Sequence, residues 1–475
     1  MSSTGLVEQR TIDIIPKDER HGRPRDLFTI WFGSNILPLT IVTGALGPAA
    51  FGLNFWWSII AIIVGNLGGG LFMALHSVQG PKLGVPQMIQ SRGQFGSIGA
   101  VIVVLVAVIM YVGFFASNLY LSGEAINAAI PSVSTNMGQV LSALIGFVIV
   151  VFGYKMIHGL NKIATVVLGI AMIVGIIWIP IAGVPADFFT RGSSDFGAFL
   201  GMVSIAALWQ LAYAPYVSDY SRYMPADEKV KETFWASYLG CNLGSILPMV
   251  WGVMVVLAYT GDGDAVLGIN ELTSPIGWLF MILLFLTASQ SNAINLYGGT
   301  LCVITVIQTF WTKWVAGPAV RIAIAVIVTL LALYFALSIA DFLTSYTNFV
   351  LLLLYLLIPW TAINLVDFYL VKKGNYHVES FFHPSGGIYG RLNWVALVSY
   401  AFGIVVQLPF MYPPDYYKGF MVDSLNGADI AWIVGLALTC PFYYILAKAT
   451  GQDKLIEAEG LPTDPLAGQT TPSEF

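Results

Sequence analysis

What this 475-residue sequence has little of is charge: Asp, Glu, Lys and Arg make up 10% of it, where a soluble domain carries roughly a quarter. That shortage excludes the row of soluble domains which the length alone would allow. Cysteine is scarce too. Cys241, Cys302 and Cys440 all sit inside apolar runs, which rules out a secreted disulfide scaffold. The net charge of -5 comes without a basic block, so no nucleic acid is expected as a partner. No His-Glu-x-x-His, Walker loop or nucleophile elbow occurs, and no convergent set of catalytic or metal-ligating side chains replaces them. The chain does not read as an enzyme.

What is there is apolar: 57% of the residues are hydrophobic and the mean hydropathy is +0.77. From Leu27 to about Leu446, stretches long enough to cross a ~30 Å hydrocarbon core recur. They do not alternate as barrel strands would. The expectation is an all-α polytopic membrane protein with 12 transmembrane helices, at roughly 28–53, 55–77, 98–128, 138–154, 163–184, 197–218, 235–259, 275–306, 321–339, 342–369, 393–411 and 429–448. Residues 1–26 are polar, without the apolar run and cleavage site of a signal peptide, and read as a cytoplasmic N-terminal arm. Residues 451–475 read as a disordered cytoplasmic tail after a transmembrane domain at 27–450. With both termini inside, 19 of the 21 Lys and Arg fall in inner segments, and only Arg191 and Lys418 fall outside. That bias fits the rule that positive charge stays in the cytoplasm. The expected location is the plasma (inner) membrane, with lipid as surroundings and no obligate protein partner evident.

Function must then be sought where helices break and where polar groups lie at mid-membrane depth. Span one carries Gly33-Ser34-Asn35-Ile36-Leu37-Pro38, and span six carries Trp209-Gln210-Leu211-Ala212-Tyr213-Ala214-Pro215-Tyr216. Proline removes a backbone donor and clashes one turn back. Such a segment unwinds in a membrane only if protein or a cavity surrounds it. Spans one and six hold equivalent positions in two five-helix halves, and paired breaks of this kind mark transporter binding sites. On span three, Phe114 and Asn118 share a face four residues apart. Span eight carries Ser289, Gln290, Ser291, Asn292 and Asn295 in an otherwise apolar run. Buried amides need partners, water or a ligand; interhelical bonds that merely hold the bundle are the plainer alternative for any one of them. Rings to stack on, with amides offering donor and acceptor together, suit a flat neutral heterocycle such as a nucleobase.

Three segments carry a family resemblance: the expected loop after span two, Gly84-Val85-Pro86-Gln87-Met88-Ile89-Gln90-Ser91-Arg92-Gly93-Gln94-Phe95-Gly96, then Tyr216-Val217-Ser218-Asp219-Tyr220-Ser221-Arg222-Tyr223-Met224-Pro225 and Asn292-Ala293-Ile294-Asn295-Leu296-Tyr297. Over about residues 20 to 450 the chain resembles the purine–cytosine permease branch of the nucleobase–cation symporter family. The resemblance implies a leucine-transporter-type fold of two inverted five-helix repeats, about 28–184 and 197–369, plus two extra helices at about 393–448. It also implies import of a nucleobase, cytosine or a purine, by cation symport with alternating access. A symporter of hydantoin- or allantoin-like rings is the alternative, and a passive channel a more distant one. The substrate-binding residues implied are Ser34, Asn35, Phe114, Asn118, Trp209, Tyr213, Gln290, Asn292 and Asn295. Phe114 stands where the family usually has tryptophan, and Tyr213 or Trp209 supplies the second ring. For the coupling cation, a Ser-Thr pair of sodium-coupled relatives falls at Ser289 and Gln290. With the threonine absent, Ser289 is a weak cation-site candidate, and H+ is favoured over Na+. No other cofactor is implied. Glu124, Asp341 and Asp367 read as solvated carboxylates at span ends, and Asp219 with Arg222 as a structural pair.

Overall fold

A computed structural model describes residues 13–458 except 21, 153, 226–229, 260–264, 312, 313 and 315. The first 12 residues of the expected arm and the expected tail beyond 458 lie outside the described residues. Among the described residues every long element is an α-helix, and eight helices are long and apolar enough to cross a membrane. A ninth crossing is a bent pair, Pro24–Asn35 and Pro38–Ala49, which meet at 60°. Three shorter apolar helices, Thr135–Val151, Thr165–Ile181 and Trp394–Phe410, lie where the sequence places the remaining spans.

Span one breaks at Ile36-Leu37, where sequence chemistry asks for it. Pro38 opens the second half-helix, where its missing N–H is no loss. The carbonyl of Asn35, freed by the break, accepts the Thr40 hydroxyl at 2.6 Å. Span six is a helix over Phe196–Leu211, a turn at Ala212-Tyr213, a 3-10 turn at Ala214–Tyr216 and a short helix at Val217–Ser221.

Packing sorts the helices into two blocks. In the first, both halves of span one pack along Val230–Ala258 (span seven), and Phe55–Ser77 (span two) packs along span six. Backbones touch directly here: a Cβ on Gly44 would overlap the Met249 backbone, the close approach that glycine permits between membrane helices. A polar knot ties the block. Gln210 Nε2 donates to Asn66 Oδ1 at 2.7 Å and Ser245 Oγ at 3.0 Å, joining spans six, two and seven. In the second block, Gly277–Phe310 (span eight) packs most extensively on Val101–Ala129 (span three) and then on Thr135–Phe152 (span four). Its knot is a row of hydroxyls, with Ser289 Oγ to Ser142 Oγ at 2.8 Å and Ser142 Oγ to Ser122 Oγ at 3.0 Å.

The segment after span two, expected as a loop, folds as two short helices, Gln79–Leu83 and Gln87–Phe95, nearly all of it buried. Amides make that burial tolerable. Gln87 N–H donates to Asp219 Oδ1 at 2.8 Å, Gln87 Nε2 to Gln79 Oε1 at 3.2 Å, and Gln79 Nε2 to Asn364 Oδ1 at 2.7 Å. Gln94 then reaches the Tyr376 hydroxyl at 3.0 Å. At the end of this chain lies Asp367, which corrects its reading as a solvated carboxylate. It is 0% exposed and accepts from Lys372 Nζ at 2.9 Å, from Tyr443 at 2.8 Å and from Tyr376. Asp341, by contrast, caps the helix Phe342–Val366 through the Thr344 N–H.

Candidate functional site

Where the two blocks face each other at the breaks of spans one and six, a cavity of about 60 Å³ opens. A single water needs ~10–15 Å³ by the same measure, so the space suits a small molecule. Of the residues singled out in the sequence, Ser34, Phe114, Asn118, Trp209, Tyr213 and Asn295 line it together. They come from spans one, three, six and eight, so residues far apart in the chain converge as expected.

Aromatic rings form most of the wall. Phe114 meets Trp209 edge-on, with centroids 6.2 Å apart and planes at 75°, and meets Phe349 at 5.3 Å. Trp209 in turn meets Tyr213 at 6.4 Å. In an edge-on pair the edge of one ring rests on one face of the other. The polar edge is supplied by amides and hydroxyls, Asn118, Asn295, Ser34 and Ser291. Asn118 Oδ1 is buried without a protein partner, and a buried acceptor in that condition is expected to meet water or a ligand.

Three expected contacts stand elsewhere. Asn35 is 0% exposed and is not in the cavity wall. Its Oδ1 accepts from Trp209 Nε1 and from Ser245 Oγ, both at 2.7 Å, while its Nδ2 donates to the Trp31 carbonyl at 2.7 Å. Asn35 therefore orients Trp209 from behind. Asn292 and Ser289 turn towards span four: Asn292 Nδ2 reaches Ser142 Oγ at 3.4 Å, and Ser289 also bonds the Phe285 carbonyl at 2.7 Å. Gln290 is buried outside the wall, with its Nε2 unpartnered. The helical period explains this division. Ser291 and Asn295, four apart, share the cavity face, while Ser289 and Asn292, three apart, share the face towards span four.

The sequence reading missed Trp31, Leu37, Leu39, Ala212, Tyr216, Tyr220 and Ile294, all in the wall, and named Ser291 only as part of the polar cluster of span eight. Trp31 is 1% exposed and meets Tyr213 at 5.5 Å and Tyr220 at 5.2 Å, both edge-on. A signal existed: Trp31 lies three residues before Ser34, and Tyr216 and Tyr220 lie four apart, so each pair shares a helix face. Tyr216, Tyr220 and Ile294 also line an adjoining cavity that runs on to Asp219, Arg222 and Tyr297. In the expected Asp219–Arg222 pair, Arg222 Nε donates to the Asp219 backbone carbonyl at 3.2 Å, and Asp219 Oδ1 holds the Gln87 N–H.

Comparison with known proteins agrees with this geometry. The family model described as "permease for cytosine/purines, uracil, thiamine, allantoin" matches residues 14–435. YxlA of Bacillus subtilis, named as a purine-cytosine permease, is 40% identical over 446 residues, which is 93% of this chain and 96% of that one. The purine-cytosine permease FCY2 of Saccharomyces cerevisiae is 26% identical, over 93% of this chain and 85% of its own. Among solved structures, the inward-facing conformation of Mhp1 has a TM-score of 0.75 at 18% identity, covering 97% of this chain and 99% of that one. Mhp1 in a closed conformation with bromovinylhydantoin bound, described as a nucleobase-cation-symport-1 family transporter, gives 0.74 at 19% identity over 94% and 97%. The fold is thus of the leucine-transporter type. With 422 consecutive positions inside the family model and a 40% identical relative along nearly the whole chain, the protein belongs to the family of membrane permeases for cytosine/purines, uracil, thiamine and allantoin.

Proposed function

We propose that this chain is a cation-coupled importer of a nucleobase, cytosine or a purine, working by alternating access. The observation that carries the reading is the cavity between the two blocks, where rings stand around a space edged by Asn118 and Asn295. Phe114 and Trp209 or Tyr213 stack on the base, and Asn118, Asn295 and Ser34 read its edge. An amide matches the adjacent donor and acceptor of a nucleobase, and its neutrality suits an uncharged ring. Asn35 acts on substrate only through Trp209.

Each block is tied internally, by Gln210 in one and by Ser142 in the other. Rocking of one block against the other, each drawing helices from both five-helix repeats, opens the site first to one side and then to the other. The adjoining cavity lined by Tyr216, Asp219 and Arg222 is the release path to the cytoplasm. The protein sits in the plasma membrane with both termini inside.

The coupling cation is H+ in this reading. Ser289, the residue left of the sodium-type pair, has its hydroxyl engaged by Ser142 and the Phe285 carbonyl, on the side away from the break in span one. Uptake of labelled cytosine, adenine and hypoxanthine into cells expressing the chain tests the proposal. One base should be taken up saturably, Asn295→Ala should abolish that uptake at unchanged membrane abundance, and excess allantoin should not compete. Competition by allantoin without uptake of any base would replace the nucleobase with a hydantoin-like ring.

A further inference from the structure

A second cavity, of about 130 Å³, lies away from the broken spans, against the end of span eight. Its base is Arg92, on the buried helix Gln87–Phe95. The guanidinium donates from Nη1 to the Phe381 carbonyl at 2.9 Å and from Nη2 to Thr309 Oγ1 at 3.1 Å. Those bonds use two of its five N–H donors. Among the described residues no carboxylate pairs with Arg92. Burial pulls its pKa down to about 10, which marks a cation held in a poorly solvating place without a counter-charge.

The rest of the wall fits the same ligand chemistry. Ser97 is 7% exposed, and its hydroxyl has no partner. Gln308, also in the wall, is turned the other way: its Nε2 donates to the Trp314 carbonyl at 3.4 Å, so it is not counted among the anion's donors. His383 stands exposed at the mouth with Nδ1 on Ser385 Oγ at 2.7 Å, which leaves Nε2 for a guest. A half-buried guanidinium, a free hydroxyl and an imidazole around one hole, with no acid among them, form an anion receptor. Beside it, Phe310 and Trp311 are 56% and 66% exposed, as residues at a membrane–water boundary are.

We propose that this cavity binds a phosphate group, with Arg92 as its charge, Ser97 as a hydroxyl donor and His383 at the entrance. An anionic phospholipid headgroup and a free phosphate offer the same chemistry, and the experiment separates them. A phosphate seated here bridges the helix Gln87–Phe95 to span eight and to the segment around Phe381.

The test reads binding rather than uptake, so its outcome is independent of the transport reading. Thermal unfolding of the purified full chain is followed in neutral detergent against inorganic phosphate, and in nanodiscs of phosphatidylcholine with or without phosphatidylglycerol. A rise in midpoint with phosphate assigns the site to a free phosphate, and a rise with phosphatidylglycerol alone assigns it to a lipid headgroup. In either case Arg92→Gln should weaken the response about ten- to hundredfold, as loss of a charge-assisted pair does. Arg92→Lys should retain part of it. Ser97→Ala keeps the charge and the fold and should weaken binding severalfold, which covers the case in which Arg92→Gln fails to fold. The proposal is overturned if neither phosphate nor phosphatidylglycerol stabilises the wild type, or if Arg92→Gln and Ser97→Ala respond as the wild type does.

Discussion

Asn35→Ala offers the sharpest prediction about how the site is held. The side chain is 0% exposed and makes three bonds, to Trp209 Nε1, Ser245 Oγ and the Trp31 carbonyl, each at 2.7 Å. After truncation Ser245 still has the Cys241 carbonyl at 2.8 Å, so it is not stranded. Trp209 loses the one partner described for its indole N–H, and a buried donor left unmade costs about 1–3 kcal/mol. The indole can recover part of this by turning into the cavity, which spoils its stacking position. At 1.4 kcal/mol per factor of ten, half-saturation for the transported base should rise about tenfold. A double-mutant cycle with Trp209→Phe, which keeps a ring and removes the N–H, isolates the route. If Asn35 works through Trp209, adding Asn35→Ala to Trp209→Phe should change half-saturation little, with a coupling of about 1–2 kcal/mol. Initial uptake rates against substrate concentration, normalised to surface abundance, give the four values. Additivity within ~0.5 kcal/mol would refute the positioning role and return Asn35 to direct substrate contact.

Two further perturbations probe the frame. Asp367→Asn leaves Lys372 buried without its counter-charge and should cost about 3–5 kcal/mol, seen as a lower thermal midpoint in detergent; adding Lys372→Met should restore most of it. Gly44→Ala places a methyl on the Met249 backbone and should give aggregated material on size-exclusion chromatography, whereas Gly68→Ala, whose new Cβ would find its nearest neighbour, Trp432, 4.0 Å away, should elute as the wild type does.

Much of the fold was legible because membrane burial imposes simple rules on a chain. Apolar length located the helices, and Pro38 and Pro215 together with the glycine and polar residues beside them located the two breaks; Pro248 and Pro359 stay inside continuous helices, so proline alone marks no break. Span eight was harder. Four of its five polar side chains face two ways, Ser291 and Asn295 to the cavity and Ser289 and Asn292 to Ser142, and a sequence cannot say which polar face meets ligand when both are buried. Asn35 was misplaced for a related reason: an amide beside a helix break serves equally well as a ligand or as a brace for a neighbouring indole. The helix Gln87–Phe95 looked like a loop because its glutamines are polar; their partners, Asp219, Asn364 and Tyr376, arrive from more than a hundred residues away. Asp367 was read as solvated for want of any local sign of Tyr443.

Accumulation in proteoliposomes tests the central claim most directly. Purified protein is reconstituted, an inward proton gradient or an inward sodium gradient is imposed, and labelled cytosine, adenine and hypoxanthine are followed to steady state. One base should accumulate above its outside concentration under the proton gradient, and a protonophore should return it to the outside level. Equilibration to that level under every gradient would make the protein a passive channel and contradict coupled transport.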